Sequence, residues 1–185
     1  MPTGVALTTH GSSAIALLAD AQYSCIMRRK SLADMQCSIA QTLEIVGEWW
    51  TLMIVRSMFG FKGFHRFEEL QAELGIARNI LKERLDTLIE NGIVEKRQYR
   101  EHPPRYDYHL TKKGQDLFPV IIGLLEWGDQ HAVGPEGPPV ILHHTECSHD
   151  TTPYLACSCC NEPITARTVT GRDAPLIVNP GKRFA

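Results

Sequence analysis

Cysteine and histidine side chains near the C-terminus are spaced like the ligands of a small metal site. A His-x-x-Cys pair is followed after nine residues by a Cys-x-x-Cys pair: His144, Cys147, Cys157 and Cys160. Thiolates combined with imidazole favour zinc in a tetrahedral structural site. The sequence therefore predicts a structural zinc ion here. Metal or redox sensing and free thiols stay open as alternatives, because the connection is short for a zinc ribbon and three more such side chains are near: His143, His149 and Cys159.

A second group of candidate residues is basic and lies in the middle third of the chain. The net charge is −2, but residues 76–113 carry nine Lys/Arg against six Asp/Glu. Residues 1–75 carry six against seven, and residues 114–185 carry four against eight. A local basic face can attract nucleic acid despite an acidic total. The candidate DNA contacts are Arg78, Asn79, Lys82, Arg84, Lys96, Arg97, Arg100 and Arg105.

Cys37 is a third candidate, because it opens the first patterned helix. The positive end of a helix dipole can stabilise a thiolate there and make the sulfur reactive. The nearby Asp34 opposes such activation, and most free cysteines are simply small buried residues. Both interpretations of Cys37 stay open.

Helical apolar spacing predicts the elements that would position these side chains. Apolar residues follow this spacing from Cys37, and the apolar stretch continues to about Phe59. Residues 66–74 form a short predicted helix that ends at Gly75. A second helix covers about residues 77–91, with a buried stripe made of Leu81, Leu85, Leu88 and Ile89.

The period then changes from helix to strand. Residues 93–99 and 106–110 alternate as strands do, and a loop with a Pro-Pro pair separates them. This pattern predicts a β-hairpin with a basic loop, called the wing below. Thr111 is the predicted N-cap of a further helix that runs through about residue 131, and Pro119 should bend or restart it.

These elements predict a mainly α fold with a small β-hairpin wing (α+β), a winged helix-turn-helix, followed by a small Cys/His-rich segment. The expected organisation is an extension at 1–36, the winged domain at 37–131, a linker at 132–139 and a Cys-rich tail at 140–185. No apolar run has the length of a membrane span, and no basic segment precedes the apolar residues 14–21. We therefore expect a cytoplasmic protein without a membrane partner, whose cysteines are thiols or metal ligands.

The order helix, glycine turn, helix, strand, basic loop and strand is typical of proteins that read double-stranded DNA. The second helix would enter the major groove, where Arg pairs with guanine and Asn with adenine, while Lys neutralises phosphate. The alternative is a winged-helix interaction module without DNA binding. No phosphate-binding glycine loop, serine elbow or catalytic carboxylate pair supports an enzyme.

The residues 27–131 resemble the HxlR family of bacterial regulators. The resemblance is carried by CSIAQTLEIVGEWWTL from Cys37, RFEEL from Arg66, LKERL from Leu81, NGIVEK from Asn91 and YREHPPRYDYHLTKKG from Tyr99. It implies a homodimeric winged-helix repressor or activator whose terminal helices form the dimer interface. Around residues 61–65 the family has more basic residues, and here only Lys62 remains.

The resemblance also implies a signal for the regulator. Some family members use a cysteine at the place of Cys37 to sense oxidants or electrophiles. A small aromatic effector between the helix after Thr111 and the first core helix is an alternative, with Trp49, Trp50 and Trp127 as lining; a core or dimer role for the tryptophans is favoured. Because the family pattern begins close to Met27, we also expect Met27 to be the true start.

Overall fold

A computed structural model of the protein describes residues 31–59, 63 and 65–172. The expected start at Met27 and the residue Lys62 lie outside the described residues. The elements follow one another along the chain as α1 (Ser38–Val46), α2 (Trp49–Met58), α3 (Phe67–Leu74), α4 (Arg78–Glu90), β1 (Val94–Arg100), β2 (Arg105–Leu110), α5 (Lys112–Gln115), α6 (Phe118–His131), β3 (Leu142–His144) and β4 (His149–Thr151).

The apolar stretch at 37–59 forms two helices. The first helix ends at Gly47, whose amide donates to the carbonyl of Leu43 at 2.9 Å. The amide of Thr51 then donates to the carbonyl of Glu48, also at 2.9 Å, and begins the next helix. The break lets α2 turn into the core, where Ile54 and Val55 are fully buried.

The helix-turn-helix consists of α3 and α4. Gly75 ends α3 in the left-handed conformation (φ 62°), which a residue without Cβ adopts at little cost, and its amide donates to the carbonyl of Gln71 at 3.0 Å. The predicted stripe of α4 is confirmed at Leu81, Leu85 and Leu88, which are buried. Ile89 packs at the edge of the core and is partly exposed.

The two strands of the wing pair antiparallel, with Val94 opposite Leu110 and Gln98 opposite Tyr106. Arg66, the residue before α3, forms a bridge with Asp107 on β2, and the amide of Tyr108 donates to the carbonyl of His65 at 2.7 Å. The wing is thereby attached to the start of the helix-turn-helix. Their relative position is fixed by backbone hydrogen bonds.

Thr111 joins the wing to the following helices, and its predicted N-cap role is confirmed. Its hydroxyl accepts from the amide of Gly114 at 3.2 Å and donates to the carbonyl of Gly92 at 2.7 Å. The helix it caps, α5, is one turn long. The chain restarts as α6 with Pro119 in its first turn, as expected of a residue that lacks an amide donor.

The core lies between α2, α3, α4 and the base of the wing, and Ile121 of α6 completes it. The fold is α+β and winged, as predicted. After α6 the chain forms the β3–β4 hairpin, and between residues 140 and 172 no side chain is buried. None of the helices in the described part of the chain combines the length and apolarity needed to cross a membrane.

Candidate nucleic-acid interface

The exposed face of α4, the start of α3 and the inner face of the wing enclose an open groove of about 1140 Å³. We call it the reading groove. Five cationic side chains and three carboxylates line it, together with aromatic rings. The cations are Arg66, Arg78, Lys82, Lys96 and Arg105, and the carboxylates are Glu68, Glu69 and Asp86. The excess of positive charge suits a polyanionic ligand.

The helical side of the reading groove presents Arg78, Asn79 and Lys82, because the buried stripe of α4 occupies the opposite face. The Arg78 guanidinium lies over the Phe67 ring at 4.6 Å, a cation–π contact that orients the side chain. Lys82 forms an ion pair with Asp86 at 2.5 Å, and this hydrogen-bonded carboxylate raises the pKa of Lys82. Lys82 therefore stays charged.

The wing side of the groove supplies two cations, Lys96 and Arg105, and an aromatic ring contacts the first of them. The ammonium of Lys96 lies 4.1 Å from the centre of the Tyr106 ring, and Arg105 begins the opposite strand. Tyr108 forms part of the groove floor, and burial, with a smaller effect of Asp86, raises the pKa of its phenol. The phenol is thus neutral at physiological pH and can donate a hydrogen bond.

Arg66 also lines the reading groove, although it was not among the predicted DNA contacts. Its guanidinium lies 5.3 Å from the centre of the Tyr99 ring, and more than half of the side chain is exposed. Its position depends on the bridge to Asp107, a contact between residues far apart in sequence. The sequence around Arg66 gives no signal of this position, because the bridge to Asp107 places the side chain in the groove.

Three predicted contacts lie outside the reading groove. Arg84 is one-fifth exposed and pairs with Glu83 at 2.5 Å. Arg97 pairs with Glu95 and lines a second, smaller depression of about 350 Å³ beside His65 and His109. Arg100 is near the tip of the wing, where its Nε donates to the carbonyl of His102 at 3.1 Å.

Cys37 occupies the N-cap position of α1 and is exposed. This location matches the helix-opening position predicted from the sequence. Its redox-sensing role stays a prediction.

The predicted metal ligands lie in two separate loops of the C-terminal segment. His144 Nδ1 lies 3.2 Å from the Cys147 sulfur in the first loop. In the second, amides of Cys159 and Cys160 donate to the Cys157 sulfur and lower the pKa of this thiol. Within the described ranges, no three His, Cys, Asp or Glu side chains come close enough together to hold a metal ion.

The helix-turn-helix, the wing and the cationic groove between them define a class, the winged helix-turn-helix regulators of transcription. The HxlR-like helix-turn-helix family model matches residues 45–134. An uncharacterized HTH-type transcriptional regulator of Mycobacterium tuberculosis is 44% identical over 138 residues, which cover 75% of this chain and 86% of that protein. The chain therefore belongs to the HxlR family, and it is a DNA-binding transcriptional regulator of that type.

Solved structures agree with this assignment. The crystal structure of PA1607, a candidate transcription factor, superposes with a TM-score of 0.67 at 30% identity and covers 77% of this chain and 99% of that one. PA1374 from Pseudomonas aeruginosa, also a candidate transcription factor, gives a TM-score of 0.55 at 33% identity, with coverage of 76% and 94%.

Proposed function

We propose that the reading groove binds operator DNA, with α4 in the major groove and the wing along the adjacent backbone. The observation that carries this proposal is the convergence of five cations on one groove beside the exposed face of α4. The N-terminal residues of a recognition helix are the ones that contact base edges in this architecture. The function requires no catalytic step, and a regulator of this kind acts in the cytoplasm.

The side chains of the groove divide into two roles by position and chemistry. Arg78 and Asn79 lie in the first turn of α4 and present forked donors and an amide, the groups that pair with guanine and adenine. Lys82, Lys96 and Arg105 are placed to neutralise phosphates, which supplies affinity without sequence information. Specificity therefore comes from the first turn of α4.

This division can be tested with fluorescence anisotropy on a duplex from the gene's own upstream region and on a scrambled duplex. Asn79→Ala should weaken binding to the specific duplex by about 1–3 kcal/mol, or roughly 5- to 150-fold, and leave binding to the scrambled duplex nearly unchanged. Arg84→Ala is the matched control on the same helix, outside the groove, and should bind like the wild type. No binding of either duplex by the folded wild type would instead support a protein-interaction module.

The protein acts as a homodimer in this proposal, because apolar side chains at helical spacing are exposed on α6. Val120 is 41% exposed, Leu124 53% and Trp127 62%. Ile39 and Trp49 on α1 and α2 are 71% and 77% exposed. Such exposed apolar faces are typical of interaction surfaces, and a second copy would cover them while placing two α4 helices on two half-sites.

Sedimentation equilibrium tests the dimer directly. The wild type should have the mass of two chains, and Leu124→Glu should be monomeric because a carboxylate cannot be buried unpaired in an apolar interface. Gln115→Glu adds the same charge to an exposed position of α5, off this row of side chains, and should leave the mass unchanged. A monomeric wild type, or a dimeric Leu124→Glu variant, would contradict the proposed interface.

Redox control through Cys37 is proposed as the signal, since the thiol is exposed at the N-cap position of α1. A mild thiol oxidant should lower the DNA affinity of the wild type and leave Cys37→Ser unaffected. An oxidant effect that persists in Cys37→Ser would assign the response to other thiols, and no effect in the wild type would favour a small-molecule effector.

A further inference from the structure

The C-terminal segment contains two loops with the same backbone geometry, thirteen positions apart in sequence. In the first loop the amide of Ser148 donates to the carbonyl of His144 at 2.8 Å, and in the second the amide of Asn161 donates to the carbonyl of Cys157 at 2.8 Å. Ser148 and Asn161 both have positive φ, at 55° and 64°. Each loop thus turns back at the residue that follows its last cysteine.

The backbone pairing that closes the two loops is also similar. His144 pairs with His149 in the β3–β4 hairpin, and the amide of Cys157 donates to the carbonyl of Glu162 at 2.9 Å. In the first loop His144 ends strand β3 and His149 begins β4, whereas the second loop is closed by an isolated bridge between Ala156 and Pro163. Two independent loops rarely share such detail without a shared role.

The side chains inside each loop converge. His144 Nδ1 and the Cys147 sulfur are 3.2 Å apart, so an ion placed beside them could contact both. The Cys157 sulfur accepts hydrogen bonds from the amides of Cys159 and Cys160, and the Cys160 side chain is also within hydrogen-bonding reach of this sulfur. Each loop thus presents half of a tetrahedral donor set.

Neighbouring histidines are engaged elsewhere. Adjacent residues of a strand face opposite sides, so His143 lies on the side of β3 away from His144, and its Nδ1 is 3.0 Å from Asp150 Oδ1. His149 Nδ1 is 2.5 Å from the carbonyl oxygen of Cys147. These contacts select His144 among the three histidines.

The segment also lacks other means of stabilising its fold. Between residues 140 and 172 no side chain is buried, and Ile141, Tyr154 and Leu155 are 70%, 67% and 69% exposed. A segment of this size without a core normally depends on a disulfide or a metal ion, and all four of its cysteines are free thiols.

We propose that His144, Cys147, Cys157 and Cys160 bind one Zn²⁺ ion, which closes the two loops on each other into a small ribbon. The two halves of the donor set are formed but separate within the described residues, and the ion supplies the attraction that joins them at ligand distances of about 2.0–2.3 Å. The three thiols lose their protons on binding, so zinc uptake releases protons to solvent.

The test uses the full chain, purified under reducing conditions, with zinc measured by native mass spectrometry and Co²⁺ as a spectroscopic substitute. The wild type should hold about one ion per chain, and its Co²⁺ complex should show thiolate charge-transfer bands and tetrahedral d–d bands. Cys157→Ser and Cys160→Ser should each lose the ion or bind it much more weakly. Far-UV circular dichroism confirms that the winged domain remains folded in each variant.

Two neighbouring residues supply matched controls. Cys159→Ser changes a thiol in the same loop, and His143→Ala changes an imidazole next to His144; both variants should keep the ion. His144→Ala should weaken binding and alter the Co²⁺ spectrum, because it removes the one nitrogen ligand. Less than about a tenth of an ion in the wild type after incubation with excess zinc would overturn the proposal. Full zinc retention in both Cys157→Ser and Cys160→Ser would also overturn the proposal. So would a loss of zinc in the two control variants as large as the loss in the ligand variants.

Discussion

Replacing Gly114 by alanine should destabilise the protein more than any other glycine-to-alanine change in its helices. A Cβ at Gly114 would stand 2.2 Å from the carbonyl oxygen of Ile93, 3.0 Å from Leu110 Cδ2 and 3.2 Å from the Ile93 carbonyl carbon. The nearest atom belongs to the backbone at the start of the wing, so it cannot rotate away as a side chain would. Either α5 or the first residues of the wing must move.

The expected loss follows from these distances. Overpacking a well-packed site costs about 1–3 kcal/mol, and the backbone oxygen puts Gly114→Ala toward the upper end. The gain in helix propensity, at most about 1 kcal/mol, is small here because α5 is a single turn. The free energy of unfolding falls by about 1–3 kcal/mol per molar urea, so the urea concentration at the unfolding midpoint should fall by roughly 1 M.

Gly134→Ala, after the end of α6, is the control, because no heavy atom lies within 4 Å of its Cβ position in the described residues. It should be neutral or stabilise by up to about 1 kcal/mol. Both variants are measured by urea unfolding at one protein concentration, since a dimer makes the midpoint depend on concentration. Equal midpoints for Gly114→Ala and the wild type would refute the close approach of α5 to Ile93.

Three further predictions follow from other contacts. Asp86→Asn removes a carboxylate from the reading groove and frees Lys82, so anisotropy should show a modest rise in DNA affinity. Asp116→Asn, which breaks a similar pair outside the groove, should leave the affinity unchanged. Burial raises the pKa of Tyr108 above its ordinary value of 10.0, so the contribution of this pKa shift to stability is present below pH 10 and is lost as the pH rises through the folded-state pKa. Tyr108→Phe should therefore flatten the fall of the urea midpoint above pH 10 relative to the wild type. Thr111→Ala should cost about 1–2 kcal/mol in the same assay, because it removes an N-cap and a hydrogen bond to the wing, and a midpoint like that of the wild type would contradict both roles.

The helix-turn-helix was accessible from sequence because its signals are local. The stripe Leu81, Leu85 and Leu88 fixes the buried face of α4, and Gly75 marks the turn. The same spacing puts Arg84 beside the stripe, at three and four residues from Leu81 and Leu88, which explains its partial burial. The break after Val46 was missed because apolar residues continue on both sides of Gly47.

The groove was harder to predict because its wing side depends on strand register. Lys96 faces the groove and Arg97 the opposite side, and a shift of one residue would exchange them. Arg66 was missed because a bridge to Asp107, and not its local sequence, places it. The pairing of two loops in the C-terminal segment is visible as spacing in the sequence, but their shared backbone geometry is visible only in the structure.

The most direct test of the reading groove compares Lys96→Ala with Arg97→Ala, neighbours on β1 that face opposite sides. The logarithm of the DNA dissociation constant is measured against the logarithm of salt concentration for both variants and the wild type. Lys96→Ala should weaken binding and reduce the slope by about 1 per subunit, because one phosphate contact is lost, whereas Arg97→Ala should match the wild type. A reduced slope for Arg97→Ala together with an unchanged slope for Lys96→Ala would contradict the assignment of the groove as the DNA-binding surface.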